Sequence, residues 1–158
     1  MKKNAFKIIL WAVLFVIILM VLLVYSAGTD QGDPIRSGDV KDLREDITVL
    51  LSSFDYLVTL VISSFGVIAF LIAFQQNKNR QISDKAWGWL LAAIIVLVGA
   101  IIACLFSREF LLLMVTRNAV KLDLEALAMG RWITYCCLIF GAVLTGFFLL
   151  ESAKNVES

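Results

Sequence analysis

The sequence of 158 residues contains no histidine, one proline and three cysteines, and charged residues make up only 17% of it. The lack of histidine excludes histidine-based acid or base catalysis, histidine-ligated haem and the commonest zinc ligands. The cysteines (Cys104, Cys136 and Cys137) lie in apolar runs and form no Cys-X-X-Cys pair, so we expect neither a disulfide framework nor a metal knuckle. A net charge of +1 gives no indication of a nucleic-acid partner.

Apolar side chains dominate the composition instead. Hydrophobic residues make up 61% of the chain, against about 45–50% in soluble domains. A water-soluble fold of this size has too much surface to bury so many apolar side chains. Disorder is excluded because this much apolar surface offsets the entropy of the chain. We therefore expect the lipid bilayer to surround most of these side chains.

Four runs are long enough to cross a membrane, since a spanning helix needs about 20 mostly apolar residues. They are continuous rather than alternating, which favours helices over the strands of a barrel. No acidic or basic residue lies in the middle of any run. The sequence predicts an all-α membrane protein with four transmembrane helices in a single domain, residues 1–158. The predicted spans are about 6–25, 56–74, 87–106 and 132–150.

The first run also predicts the orientation. Its apolar core has about 18 residues, longer than the 7–15 of a signal peptide, so we expect a retained span. Lys2, Lys3 and Lys7 flank its start, and no basic residue follows it until Arg36. This asymmetry places the N-terminus in the cytoplasm, and four spans return the C-terminus to the same side. The basic residues expected inside and outside are equal in number, so the prediction of an N-in, C-in protein of the bacterial inner membrane depends on the first helix.

The segments expected outside are predicted to be largely helical. Residues 27–38, which include the only proline, form a turn-rich linker. Residues 39–55 form an amphipathic helix that continues into the second span, because apolar residues recur at the alternating spacing of three and four typical of a packed helix. Residues 107–131 form an outer helical connection, so that spans 2 to 4 extend beyond the outer leaflet. The outer heptad seam consists of Val40, Leu43, Ile47, Leu50 and Phe54.

The second span carries a polar stripe of four residues on one helical face: Ser52, Asp55, Thr59 and Ser63. Several copies assembled around this face would form a pore, with a ring of carboxylates at its mouth that favours cations. The simpler interpretation is that the hydroxyl groups hydrogen-bond to helix backbones while Asp55 remains hydrated at the membrane boundary. The second interpretation is favoured, because hydroxyl contacts of this kind are common in membrane helices.

Two further groups of residues are candidates for function or packing. An outer charge cluster is either a sensing site for a ligand or ion, or a set of exposed ion pairs that contribute about 0–1 kcal/mol each; the second is favoured. It consists of Asp55, Arg108, Glu109 and Arg131. Small residues that let membrane helices approach closely occur at packing spacing in spans 3 and 4. These helix-packing residues are Gly99, Ala103, Ser107, Ala142 and Gly146.

No catalytic, cofactor-binding or metal-binding residue is predicted. The spans hold no ionisable group in their middle, no phosphate-binding glycine loop and no nucleophile–base pair. We expect a non-enzymatic subunit that binds the bilayer and copies of itself and acts as a scaffold or sensor. Its partner would be a cytoplasmic protein bound to the 75–86 loop or to the tails. The alternatives are a homo-oligomeric ion channel lined by span 2 and a redox relay based on the cysteines.

The expected arrangement, with four spans, both ends inside and helical outer extensions, resembles the four-span tetrameric membrane subunits of bacterial antiphage systems such as Kiwa. The resemblance lies in the architecture and in no sequence motif. It implies that the protein is the membrane component of a bacterial defence complex. Oxidoreductases that pass disulfides to quinone also have four spans, but the absence of their Cys-X-X-Cys motif argues against that group.

Overall fold

The computed structural model describes the backbone of residues 3–29, 40–77, 82–116 and 124–154, and side chains within 4–25, 47–49, 51–75, 82–112 and 128–154. The described part is 98% helical. It forms four helices: α1 (Lys3–Thr29), α2 (Val40–Asn77), α3 (Asp84–Thr116) and α4 (Leu124–Lys154). All four are long and apolar enough to cross a membrane. The predicted all-helical fold with four candidate spans is therefore confirmed.

The helices are longer than the apolar runs that predicted them. α2 has 38 residues, which is about 57 Å at 1.5 Å per residue, and it passes without interruption from the predicted extension into the span. α3 continues to Thr116 and α4 begins at Leu124, so the connection at 107–131 is helical wherever it is described. α1 continues to Thr29 and so includes the first three positions of the linker predicted at 27–38, which otherwise stays a prediction. A helix that continues past the apolar run keeps its backbone groups hydrogen-bonded. Residues 30–39 lie outside the described part.

α3 is the central helix of the fold. It packs on each of the other three helices, whereas α1 and α2 have no contact with each other in the described part of the chain. Within the segment of each helix that would cross the membrane, 56% of α3 is buried inside the chain, against 11% for α1 and 17% for α2. α1 and α2 therefore present most of their surface to lipid or to another protein.

The helices alternate in direction along the chain. Gly88, near the start of α3, packs against Ala5, near the start of α1, so these two helices are parallel. Lys85 pairs with Glu151 at the end of α4, so α3 and α4 are antiparallel. We call the end at which α1 and α3 begin the Lys85 end, and the opposite one the Arg108 end. The sequence predicts that the Lys85 end lies in the cytoplasm.

Glycine residues let α1 and α4 approach α3 closely. A Cβ atom on Gly88 would lie 2.9 Å from the Cα atom of Ala5, and one on Gly141 would lie 3.0 Å from the Cδ2 atom of Leu97. The distance at Gly88 is shorter than real Cβ contacts, and the atom it would meet belongs to the backbone of Ala5. The contact between α1 and α3 therefore depends on the absence of a side chain at position 88.

A small buried cluster near the Arg108 end attaches α2 to α3. It contains Phe54 from the predicted outer heptad seam, which is fully buried, and Ile47 of the same seam packs against it. The members of this cluster are Phe54, Leu57, Cys104 and Leu111. The described part of the seam thus faces α3. The side chains of the other seam residues lie outside the described set: Val40, Leu43 and Leu50.

Gly88→Ala should destabilise the protein, because the added methyl group meets the backbone of α1. Overpacking of this kind costs about 1–3 kcal/mol, which thermal unfolding in detergent, followed by circular dichroism, would show as a lower Tm. Gly146→Ala is the matched control, since a Cβ atom there meets nothing within 4 Å and alanine is the better helix former. Equal Tm values for the two variants would contradict the close packing of α1 on α3.

Candidate functional site

The polar stripe of α2 lies on the helical face opposite to the one that packs on α3. The buried residues of α2 include Phe54, Leu57 and Val61, which are about half a turn away from the stripe at 3.6 residues per turn. All four stripe residues are exposed: Ser52, Asp55, Thr59 and Ser63. Ser52, Thr59 and Ser63 therefore point away from the rest of the described chain, whereas Asp55 also contacts Arg108 of α3.

The stripe hydroxyl groups donate hydrogen bonds to the backbone of α2 itself. Thr59 Oγ1 donates to the carbonyl oxygen of Asp55 at 2.9 Å, and Ser63 Oγ donates to that of Thr59 at 2.8 Å. Ser52 Oγ donates to the carbonyl oxygen of Val49 at 2.8 Å. This is a common arrangement of hydroxyl side chains in helices. Each donor is thus satisfied without a second helix, while each exposed oxygen can still accept a hydrogen bond.

Gly66 extends the same exposed face and was missed in the sequence analysis. It follows Ser63 by three residues, and a Cβ atom there would meet nothing within 4 Å. Gly66 could have been predicted from spacing, because Thr59, Ser63 and Gly66 are four and three residues apart and so share one face of the helix. Together these three small residues form a smooth row along the outside of α2, which we call the α2 row.

Three of the four residues predicted for the outer charge cluster come together. Arg108 Nε lies 3.3 Å from Asp55 Oδ1, and Arg108 Nη1 lies 3.5 Å from Glu109 Oε1. The Asp55 contact is an ion pair by distance only, because this Nε makes no hydrogen bond. The carboxylate side chains are 65% and 70% exposed, so solvent screening limits each pair to about 0–1 kcal/mol. One guanidinium thus faces two carboxylates, which leaves a net charge of −1.

Arg131 does not join this cluster. Among the residues whose side chains the structure describes, it has no ion-pair partner. It lines a shallow cavity of about 190 Å³ on α4 together with Ala128, Trp132 and Tyr135. Arg131 is half-buried, and the two aromatic side chains are exposed. The four predicted residues therefore do not form one cluster. Arg108 on α3 is paired with carboxylates, whereas Arg131 on α4 lies in a cavity with aromatic side chains.

The small residues predicted on α3 lie at helix contacts within the chain. Gly99, Ala103 and Ser107 are all buried. A Cβ atom on Gly99 would lie 2.8 Å from Cγ1 of Val16 on α1, and one on Gly130 of α4 would lie 2.9 Å from Cβ of Ser107. This line of small residues therefore lets both α1 and α4 approach α3.

The small residues predicted on α4 are placed differently. Ala142 is exposed, and nothing lies within 4 Å of a Cβ atom on Gly146. Neither residue is used for close packing inside this chain, where Gly141 meets α3 instead. Helix packing at Ala142 and Gly146 remains a prediction, which the sequence does not assign to contacts within one chain or between chains.

The cysteines do not converge on one site. Cys104 Sγ donates to the carbonyl oxygen of Phe54 at 3.4 Å and is buried between α3 and α2. Cys137 is buried, whereas its neighbour Cys136 is exposed. Among the residues that the structure describes, no three His, Cys, Asp or Glu residues are grouped so that they could hold a metal ion.

An ion pair at the Lys85 end connects the start of α3 to the end of α4. Lys85 Nζ lies 3.1 Å from both carboxylate oxygens of Glu151, a residue 66 positions away in the chain, and Lys154 adds a longer contact of 3.9 Å. Ser83 begins α3 by accepting a hydrogen bond on Oγ from the N–H of Ala86 at 3.1 Å, as an N-cap residue does. Sequence spacing could not pair residues so far apart. Residues 78–81 of the predicted partner-binding loop lie outside the described part.

No family model, no curated protein and no solved structure matches this chain. The features of the chain that bear on function are the α2 row, the charge cluster beside it, the cavity at Arg131 and the ion pair at the Lys85 end.

Two double-mutant cycles should show a weak ion pair at each end of the fold. We expect Lys85→Met with Glu151→Gln to give a coupling energy of up to about 1 kcal/mol, because both lysine and carboxylate are partly solvated. Asp55→Asn with Arg108→Gln should give a smaller value, since Asp55 is the more exposed carboxylate. Equilibrium unfolding in mixed detergent measures the coupling energy of each pair. A coupling of zero between Lys85 and Glu151 would contradict the contact.

Proposed function

We propose that this protein is a non-enzymatic subunit of the bacterial inner membrane that assembles with copies of itself through α2 and acts as a scaffold or sensor for a partner protein. The observation that carries the proposal is the α2 row, Thr59, Ser63 and Gly66, which lies on the face of α2 turned away from α3.

The chemistry of this face differs from that of a helix surrounded only by lipid. The exposed surface of α1 is made of large apolar side chains such as Trp11 and Val21, which suit hydrocarbon. The exposed side of α2 also has large apolar side chains such as Tyr56 and Phe70, but the α2 row adds small side chains and hydroxyl oxygens. Membrane helices associate through close backbone packing and hydrogen bonds between helices, because lipid removes the hydrophobic driving force. A second α2 helix is thus the occupant that this surface suits best.

The charge cluster reduces the repulsion that an assembly through α2 would create between Asp55 side chains. Copies brought together along the α2 row would also bring their Asp55 carboxylates closer, and like charges repel. Arg108 lies 3.3 Å from Asp55 in the same chain and offsets that repulsion. Because one guanidinium faces two carboxylates, it offsets this repulsion only in part.

The scaffold or sensor role is supported by the almost entirely helical structure of the described residues, which would pass a signal on to a partner. With both termini predicted inside, a cytoplasmic partner would bind the 75–86 loop or the tails at the Lys85 end. The defence role implied by the architectural resemblance belongs to the same proposal. This role can be measured by plating phages on cells that carry or lack the gene and the gene of its partner. Unchanged plating efficiency with every phage tested would reject the defence role.

Gly66→Leu should weaken self-association, because a leucine side chain keeps the two backbones apart. Contacts of this kind contribute about 1–2 kcal/mol, so we expect association about tenfold weaker, measured by mass photometry in nanodiscs. Gly146→Leu is the matched control on an outward face of α4 and should leave the mass distribution unchanged. A wild-type protein found only as single copies would overturn the proposal. Loss of assembly in the Gly146 variant alone would move the interface to α4.

The second candidate function is a homo-oligomeric ion channel lined by α2. It is favoured by the exposed hydroxyl oxygens of the stripe, with the net negative cluster at the Arg108 end. In planar bilayers Asp55→Asn should then reduce the selectivity for cations, because a ring of carboxylates attracts them. Asp84→Asn is the control, since Asp84 begins α3 at the other end. An absence of current in wild-type protein that assembles would reject the channel and leave the scaffold standing.

A further inference from the structure

Three of the four residues that line the cavity at Arg131 carry hydrogen-bond donors, although most of the lining surface is apolar. The guanidinium carries five N–H groups, Trp132 has one, and the phenol of Tyr135 can donate or accept. Arg131 and Tyr135 are four residues apart and so lie on the same face of α4. Ala128, one turn earlier, is small and leaves the cavity of about 190 Å³ open. A positively charged cavity rich in donors suits an oxyanion, and planar arginine is well matched to phosphate.

The position of the cavity indicates where the oxyanion comes from. The fourth span is predicted at 132–150, so Trp132 and the cavity lie where α4 is expected to enter the bilayer. Tryptophan and tyrosine concentrate at this depth, level with the lipid headgroups. Along the same face of α4, one and two turns deeper than Tyr135, lie the exposed apolar side chains of Ile139 and Val143. The face thus combines an anion-binding cavity with an apolar track.

We propose that Arg131, Trp132 and Tyr135 form a binding site for the phosphate group of an anionic phospholipid, whose acyl chain lies along Ile139 and Val143. The lipid is net negative because the site holds one cation and, among the described side chains, no carboxylate partner for it. This site lies on α4, uses none of the α2 row, and does not depend on self-association.

Native mass spectrometry of the full-length protein in detergent, with phosphatidylglycerol added, tests the site. The wild type should retain this lipid in preference to phosphatidylcholine. Arg131→Gln should bind it about tenfold more weakly, which corresponds to about 1.4 kcal/mol. Tyr135→Phe removes only a hydroxyl group and should have a smaller effect in the same direction. Arg108→Gln is the matched control, since Arg108 lies at the same end of the fold but is already paired with Asp55.

Each outcome decides the proposal. Equal retention of phosphatidylglycerol by the wild type and Arg131→Gln overturns it, and so does an equal loss in Arg108→Gln, which would show attraction to general positive charge. Displacement of the lipid by millimolar inorganic phosphate would identify a site for free phosphate instead and reject the lipid. Circular dichroism verifies that each variant keeps its helical content. If Arg131→Gln fails to fold, the result for Tyr135→Phe against the wild type decides.

Discussion

Close approach of helix backbones to α3 holds this chain together. Hydrocarbon provides no hydrophobic force between helices, so contact area and shape determine which helices pack. Gly88 and Gly99 let α1 reach α3, while α4 reaches it where Gly130 meets Ser107 and Gly141 meets Leu97. α3 is consequently the most buried helix, and the directions in which the other helices can face are determined by their contacts with it.

The two outward helices differ in what they present. α1 exposes large apolar side chains along its length, a surface suited to lipid. α2 packs on α3 through Phe54, Leu57 and Val61, and this contact turns its small and polar residues outward. The difference arises because each helix has a single face that meets α3, and among the described side chains of the two helices only those of α2 place serine, threonine and glycine on the opposite face. The proposed self-association therefore depends on how α2 is rotated against α3.

The proposed surfaces occupy separate parts of the molecule. The α2 row is on α2, the phospholipid site is on α4, and the expected contact with a cytoplasmic partner is at the Lys85 end. α1 and α2 have no mutual contact in the described part of the chain, so a second α2 can approach without displacing α1. Under these proposals, one subunit would bind another copy, a lipid and a partner at the same time, as a membrane scaffold requires.

The amino-acid sequence by itself determined the helical class, the four candidate spans and the continuity of α2 from its amphipathic start into the span. These depend on hydropathy and on spacing within a helix, which are local properties. Only the tertiary structure decided that the Gly99 line packs inside the chain while Ala142 is exposed and a Cβ atom on Gly146 would meet no neighbour, although the residue types and spacing are alike. It also decided that Arg108 pairs with Asp55 while Arg131 lies in an aromatic cavity, and that Lys85 meets Glu151. Spacing shows which residues share a face, but the neighbour of that face depends on the rotation of each helix, and every contact with α3 contributes to that rotation.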